Sequence, residues 1–289
     1  MLEKKSFVSI VIPCYNSERT ILETLHSIAD QTYKHYEVVI VNDGSSDNTE
    51  RIISEYATLK TNISVFLQEN GGQAKARNYG LTVAKGEYIV FVDADDKLHP
   101  DFLRECISAF NSDESVNMVY CEMQTFEREN NVYNLREFKI EEFLITNCIP
   151  IFCMVRADHI KSIGGFDESM KNNEDWECWI RLYKKYGGKV IKINRILYYY
   201  RKRIDENSIT DLSNKNQEIS NTFYYVYNKH YDFYVEHNLS VYDLFRTYVQ
   251  RGALNAKYYN IWYKKLYYKY FDKKRYIRMM NVYPFTDSK

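Results

Sequence analysis

The chain has 289 residues, of which 45% are hydrophobic and 16% aromatic, with only 10 Gly and 4 Pro, a composition that excludes disordered, fibrous and low-complexity classes. The formal charge is zero, yet residues 1–199 hold 23 Lys+Arg against 30 Asp+Glu, so residues 200–289 carry a balance of +7 together with 16 of the 28 tyrosines. No run of apolar residues is long enough for a membrane-spanning helix, and the 6 cysteines show no C-x-x-C pair or metal-ligand rhythm and read as reduced cytosolic thiols.

From Phe7 to Ile12 the residues are apolar or β-branched apart from one Ser, the pattern of a strand covered on both faces. That run stops at Cys14-Tyr15-Asn16 with no small-residue cleavage site after it, so no secretion leader is expected. Ser17 is the expected cap of a helix carrying Ile21, Leu22, Leu25 and Ile28 at helical spacing. The cycle repeats as a strand over 36–41, a turn at Asn42-Asp43-Gly44 and a helix over 47–59. A strand over 63–67 follows, then Gly71-Gly72 and a helix to about Ala84. A fourth strand over 88–92 ends at Asp93. Strands alternating with helices predict βαβ units and a mainly parallel sheet, whose ligands sit outside the carboxyl ends of the strands. The polar residues gather there: Pro13 to Asn16, Asn42 to Gly44, Asn70 to Arg77 and Asp93 to Asp96. Beyond residue 97 a helix over 100–110 and a strand over 116–121 are expected. Charged sequence follows, broken by Gly164-Gly165-Phe166-Asp167, Glu174-Asp175-Trp176 and Tyr198 to Arg203. The expected division is a catalytic domain over 1–205 and a helical, Tyr- and Lys-rich extension over 206–289.

Asp93-Ala94-Asp95-Asp96 closes an apolar strand. On a strand, residues i and i+2 face one side, so Asp93 and Asp95 are expected to converge, and paired carboxylates suit Mg²⁺ or Mn²⁺ with open positions for phosphate oxygens. Asp43 reads either as part of a turn and helix cap or as an acceptor for a uracil imide N–H. Two glycines at a helix N-terminus, with Lys75 and Arg77 behind them, favour an anion, although Arg77 also reads as a surface ion pair. Neither the dinucleotide nor the P-loop spacing is present. Beside Trp176, the Glu174-Asp175 pair can take a hydroxyl proton while the aromatic face holds a sugar. The basic cluster from Arg201 to Arg203 is placed to cover a pyrophosphate or to lie exposed.

In order and spacing, VSIVIPCYN, VNDGSSDNT, GGQAKARNYGL, YIVFVDADD, GGFDE, NEDWECWIRL and YYYRKR with NSIT resemble glycosyltransferase family 2, inverting nucleotide-sugar transferases with a GT-A fold, an α/β architecture. The resemblance spans about residues 6 to 210. It implies a donor site of Pro13, Tyr15, Asn16, Asp43, Arg77, Asn78, Asp93, Asp95 and Arg201, with a uridine base held by Pro13, Tyr15 and Asp43. It implies Mn²⁺ or Mg²⁺ on Asp95 and Asp93, Asp175 as catalytic base, and Glu174 and Trp176 on the acceptor side. The implied donor is a UDP-hexose or UDP-N-acetylhexosamine, and the acceptor a glycan, lipid-linked or protein-linked sugar. Where relatives carry a His beyond the base, this chain has Arg201, Lys202 and Arg203. The Q-x-x-R-W motif of processive synthases is absent, so one sugar per encounter is expected.

Two competing readings are weaker. An apolar strand ending in D-x-D also opens haloacid-dehalogenase-type phosphatases, but there the motif sits on the first strand with Thr or Val two residues on, not on the fourth followed by Asp96-Lys97. An inactive scaffold is argued against by the intact Asp95 and Asp175. Residues 241–289 carry 11 Lys+Arg against 3 Asp+Glu among aromatics, which reads as a helical cap, a homo-oligomer contact, or a peripheral contact with the inner face of the cell membrane. A cytoplasmic location is expected, with no nucleic-acid partner.

Overall fold

A computed structural model describes residues 6–58, 60–205, 218–258, 262–272 and 274; the Asn207 to Thr210 motif lies outside them. The chain divides into two compact units, Met1–Lys229 and His230–Lys289. The first opens with β1 (Val8–Cys14), α1 (Ile21–Ala29), β2 (Tyr36–Asp43), α2 (Thr49–Ala57), β3 (Ile63–Gln68), α3 (Gln73–Val83) and β4 (Tyr88–Phe91). It continues through β5 (Lys97–Leu98), α4 (Phe102–Ser112), β6 (Val116–Glu127), β7 (Val132–Tyr133), α5 (Ile140–Phe143), β8 (Met154–Arg156), α6 (Ala157–Ser162), α7 (Glu174–Tyr186), β9 (Lys189–Lys202) and α8 (Glu218–Lys229).

One nine-stranded sheet runs in the order β3-β2-β1-β4-β8-β6-β9-β5, with β7 paired to β6. Its first four strands are parallel, as the βαβ pattern predicts. Every residue of β1 and β4 is buried, which explains their unbroken apolar character: helices cover both faces. Burying each such Val or Ile contributes roughly 1.5–3 kcal/mol. The second half is mixed: β8 is antiparallel to β4 and β6, β9 is parallel to β6, and β5 is antiparallel to β9. The expected strand over 116–121 extends to Glu127 because β9 pairs along it, with register shifts near Cys121 and Glu122. β9 hides among charges because Lys189 and Arg195 lie exposed, so its apolar alternation is broken until Leu197 and Tyr198 enter the core. There Tyr198 stacks on Phe152 at 3.7 Å between ring centroids.

Two local expectations change. Ser17 does not cap α1 with its hydroxyl, which donates to the Tyr15 carbonyl at 3.2 Å; its own carbonyl accepts from Thr20 and Ile21 N–H instead. Of the expected apolar stripe on α1, Leu22 lies exposed while Thr24 is buried. All six cysteines are free and buried.

The second unit contains α9 (Tyr231–Glu236), α10 (Val241–Tyr258) and α11 (Trp262–Phe271). On α10, Tyr242, Phe245, Tyr248 and Val249 are exposed. Among the described residues no helix is long and apolar enough to cross a membrane.

Candidate active site

The carboxyl ends of β1 and β2 are laced together by their loops. Asn16 takes a left-handed backbone (φ +48°), its side-chain oxygen accepts from Ser46 N–H at 2.9 Å, and its own N–H donates to Ser45 Oγ at 3.0 Å. Ser17 N–H donates to Thr49 Oγ1 at 2.7 Å and Glu18 N–H to Asp47 Oδ2 at 3.1 Å. Pro13 sits within β1 in register with Val41, and Tyr15 just beyond it is 51% exposed at the mouth.

Asp43, at the end of β2, is buried and already occupied. Its Oδ1 accepts from Gln68 Nε2 at 2.6 Å and Gly71 N–H at 2.9 Å, and Oδ2 accepts from Gly72 N–H at 2.8 Å. The Gly71-Gly72 turn into α3 is thus tied to Asp43, leaving accepting capacity on Oδ2 for one further donor. Gly44 turns the chain here at φ +69°, where a Cβ would meet Asn70 N at 2.8 Å.

Asp93 and Asp95 reach each other differently from the strand argument. β4 ends at Phe91, Val92 N–H makes a last bond to the Val11 carbonyl, and Asp96 N–H closes a turn on the Asp93 carbonyl at 3.1 Å. The turn, not the pleat, gathers the three carboxylates. Asp96 is locked away, accepting from Tyr198 Oη at 2.6 Å and from Arg201 N–H at 2.8 Å. Burial raises its pKa well above the carboxylate range, with Asp95 and Asp93 adding to the effect. Burial likewise raises Asp95, opposed by Arg203, whose Nε and Nη2 both donate to Asp95 Oδ2 at 2.9 and 2.7 Å.

Arg77 proves to be buried rather than a surface ion pair. Its guanidinium joins Asp93 Oδ1 at 2.8 Å to Glu174 Oε1, which also accepts from Gln73 Nε2 at 2.6 Å. Two parts of the sequence about eighty residues apart, at Asp93 and Glu174, therefore share one cation. Behind it, Asn78 pins the Gly164-Gly165-Phe166 turn rather than facing the sheet edge: it donates to the Phe166 carbonyl at 2.9 Å and accepts Phe166 N–H at 2.7 Å.

Asp175 opens α7. Its Oδ1 accepts from Trp176 N–H at 2.7 Å and its Oδ2 from Asn147 Nδ2 at 3.2 Å. Some of its surface stays open, but dense protein surrounds the carboxyl, and this desolvation, with Glu174 adjacent, pushes its pKa up to about 7. A carboxylate near neutrality is suited to accept a proton from a hydroxyl.

Three sequence expectations are differently placed. Glu174 is buried in the Arg77 pair and so does not line an acceptor surface. Trp176 is buried, donates through Nε1 to the Phe143 carbonyl at 2.8 Å and stacks near Phe223 at 5.8 Å, so its face is not open to a sugar. Arg201 is buried too, with Nε on the Asp95 carbonyl at 2.8 Å, Nη2 on Glu23 at 3.0 Å and Nη1 on Glu127, so it braces the turn. Arg203, two residues on, is the cation at the carboxylates. Arg201 and Arg203, two residues apart at the end of β9, both reach Asp95, and that spacing was a usable signal; Asn147 beside Asp175 had none.

Asp93 and Asp95 supply two hard oxygen donors in one turn, each paired with an arginine. Among the described residues no third His, Cys, Asp or Glu completes a protein-only metal group. That donor set fits a divalent cation that keeps several positions for substrate phosphates. Arg77 and Arg203 neutralise the pair here, Arg77 from a buried position and Arg203 about one third exposed.

The glycosyl transferase family 2 model matches residues 9–164. Chondroitin synthase of Pasteurella multocida (strain Pm70) is 33% identical over 71% of this chain and 22% of its own length. Minor teichoic acid biosynthesis protein GgaB of Bacillus subtilis (strain 168) is 32% identical over 74% of this chain and 26% of its own length. The chain thus spans well under two thirds of either relative. The structure of S. aureus TarS 1-349 in complex with UDP-GlcNAc superposes with a TM-score of 0.57 at 28% identity, covering 68% of this chain and 58% of that one. The matched segment contains β1 to β4, the Asp43 turn and the Asp93 to Asp95 turn, and on that match the chain belongs to glycosyl transferase family 2.

Proposed function

We propose that the protein transfers one sugar from a UDP-hexose or UDP-N-acetylhexosamine to a hydroxyl of a carbohydrate acceptor, in a single displacement that inverts the anomeric carbon. The observation that carries this is Asp175: a carboxylate poised at about pH 7, linked through Glu174 and Arg77 to the Asp93 turn. Asp175 accepts the acceptor's hydroxyl proton as that oxygen forms its bond to the anomeric carbon. The bond from that carbon to the diphosphate breaks, and the electron pair leaves with UDP. Asn147 holds Asp175 in orientation, and Arg77 keeps the buried charge of Glu174 compensated beside it.

Tyr15, Pro13 and the remaining lobe of Asp43 Oδ2 are assigned to the uridine, and Arg203 to the diphosphate. A divalent cation held by Asp95 and Asp93 would supply neutralisation of the negative charge developing on the leaving group. The uridine preference is supported by the S. aureus relative solved with UDP-GlcNAc. Asn78, Arg201, Glu174 and Trp176 are assigned positioning roles, since each is committed to protein partners.

The test is a thermal-shift titration with UDP, GDP and dTDP, each with Mn²⁺ and with EDTA. At 100 times its dissociation constant a ligand stabilises the fold by about 2.7 kcal/mol. A rise with UDP and Mn²⁺ that EDTA abolishes is expected, followed by transfer from a UDP-sugar. A rise with another nucleotide alone overturns the uridine donor.

A further inference from the structure

We infer that the second unit is a docking surface for an anionic lipid bilayer, with helix α10 lying in the bilayer interface and its aromatic face turned into the lipid. The inference stands apart from the transferase reading above, because it uses none of the residues of the sheet edge.

The start of α10 is fixed by a reciprocal cap: Asp243 N–H donates to Ser240 Oγ at 3.1 Å, and Ser240 N–H donates to Asp243 Oδ2 at 3.3 Å. From there Val241, Phe245, Tyr248 and Val249 fall at helical spacing on one face, and Asp243, Arg246, Thr247 and Gln250 on the opposite one. Such an apolar stripe ordinarily packs on a core. Here all four of its residues are exposed, Phe245 by 66% and Tyr248 by 75%. On α11, Leu266, Tyr267, Tyr270 and Phe271 are exposed as well. Tyr267 stacks on Phe271 at 5.3 Å, and Lys269 Nζ lies 5.8 Å from the centre of the Tyr270 ring. Both helices therefore hold large rings out in solvent, the mark of an interaction surface.

Charge selects the occupant. Residues 241–289 carry 11 Lys+Arg against 3 Asp+Glu, and one of those acids, Asp243, is engaged in the cap. Arg246, Lys269 and Lys274 are exposed. A second copy joined through the same face would set this positive charge against itself, and the cores of protein interfaces are depleted in lysine. A nucleic acid would be met by cations, yet Val241, Phe245, Tyr248 and Val249 present none. An anionic bilayer matches both properties together. Its phosphate headgroups attract the Lys and Arg side chains, while the rings and valines sink about 5–10 Å into the boundary between headgroups and acyl chains. Tyrosine suits that depth because its ring is apolar and its hydroxyl reaches water.

The test is flotation of the full chain with vesicles of phosphatidylcholine alone and of phosphatidylcholine containing about 30 mol% phosphatidylglycerol. The protein should bind the anionic vesicles about tenfold more tightly or better, and high salt should weaken that binding. Two double variants separate the apolar from the electrostatic contribution: Phe245→Ser with Val249→Ser, and Lys269→Glu with Lys274→Glu. All four positions are exposed, so melting temperatures should match that of the unaltered protein while binding to anionic vesicles falls about tenfold in each variant. No flotation with anionic vesicles, equal flotation with both lipids, or unchanged flotation in the Phe245 and Val249 variant overturns the inference. A dimer in light scattering that this same variant dissolves also overturns it, by assigning the face to a second copy. Flotation requires no nucleotide, so its outcome is independent of the UDP titration that tests the transferase reading.

Discussion

The two halves of the sheet hold their functional groups by different means. In the parallel half, β1 to β4, the polar work is done largely by backbone donors: Gly71 and Gly72 N–H on Asp43, Ser46 N–H on Asn16. Where that half meets the mixed half it is done by side-chain ion pairs spanning long stretches of sequence: Arg77 with Glu174, Arg201 with Glu23 and Glu127, Arg203 with Asp95. Backbone networks are set by turns a few residues long and survive many side-chain changes. Ion-pair networks in a buried site depend on each member, because removing one leaves its partner charged and desolvated.

The sharpest separation of the halves is at Asp175. Asp175→Asn should lower transfer by about 10²–10⁴-fold while leaving the UDP thermal shift intact; transfer at more than a tenth of the original rate would remove Asp175 as the base. Next, Arg77→Met should cost about 3–5 kcal/mol in urea unfolding, since Glu174 is left buried without its cation. A loss below about 1 kcal/mol would break the contrast between the halves. Asp43→Asn, its counterpart on the parallel side, should cost less, about 1–3 kcal/mol, because an amide turns one accepting oxygen into a donor facing N–H groups.

The pH dependence is milder still. In the base role proposed for it Asp175 must be ionised, so kcat should rise with pH to half its maximum near pH 7, the value its burial imposes, and a profile flat from pH 5.5 to 8 would contradict that role. The smallest effect is expected at Arg51 and Glu55, an i,i+4 pair more than half exposed at both ends. Arg51→Ala should change stability by about 0.5 kcal/mol or less, against the large loss at the buried Arg77.

The same contrast explains what could be read from the chain. Strands β1 to β4 were legible because each is a largely apolar run followed within a few residues by Pro, Gly or Asp, and alternation with helices constrains four such runs to neighbour in parallel. Asp43 and the Gly71-Gly72 turn were legible as separate motifs, but their mutual hydrogen bonds were not. β9 was not, because its charged residues, Lys189 and Arg195 exposed among them, mask a strand whose partner lies about seventy residues upstream. Glu174 and Asp175 adjoin in sequence yet part in structure: a helix sends successive side chains about 100° apart, so one meets Arg77 and the other Asn147.

By itself the sequence determined the βαβ half, the edge of the sheet where polar residues collect, and the resemblance that the family match bears out, because each is encoded in contiguous motifs of fewer than about fifteen residues. Only the tertiary structure decided which carboxylates pair with which arginines and that Trp176 faces the core. Those outcomes depend on burial and on contacts that mostly join distant residues, 97 positions apart for Arg77 and Glu174 and 108 for Arg203 and Asp95, and no local pattern carries that information.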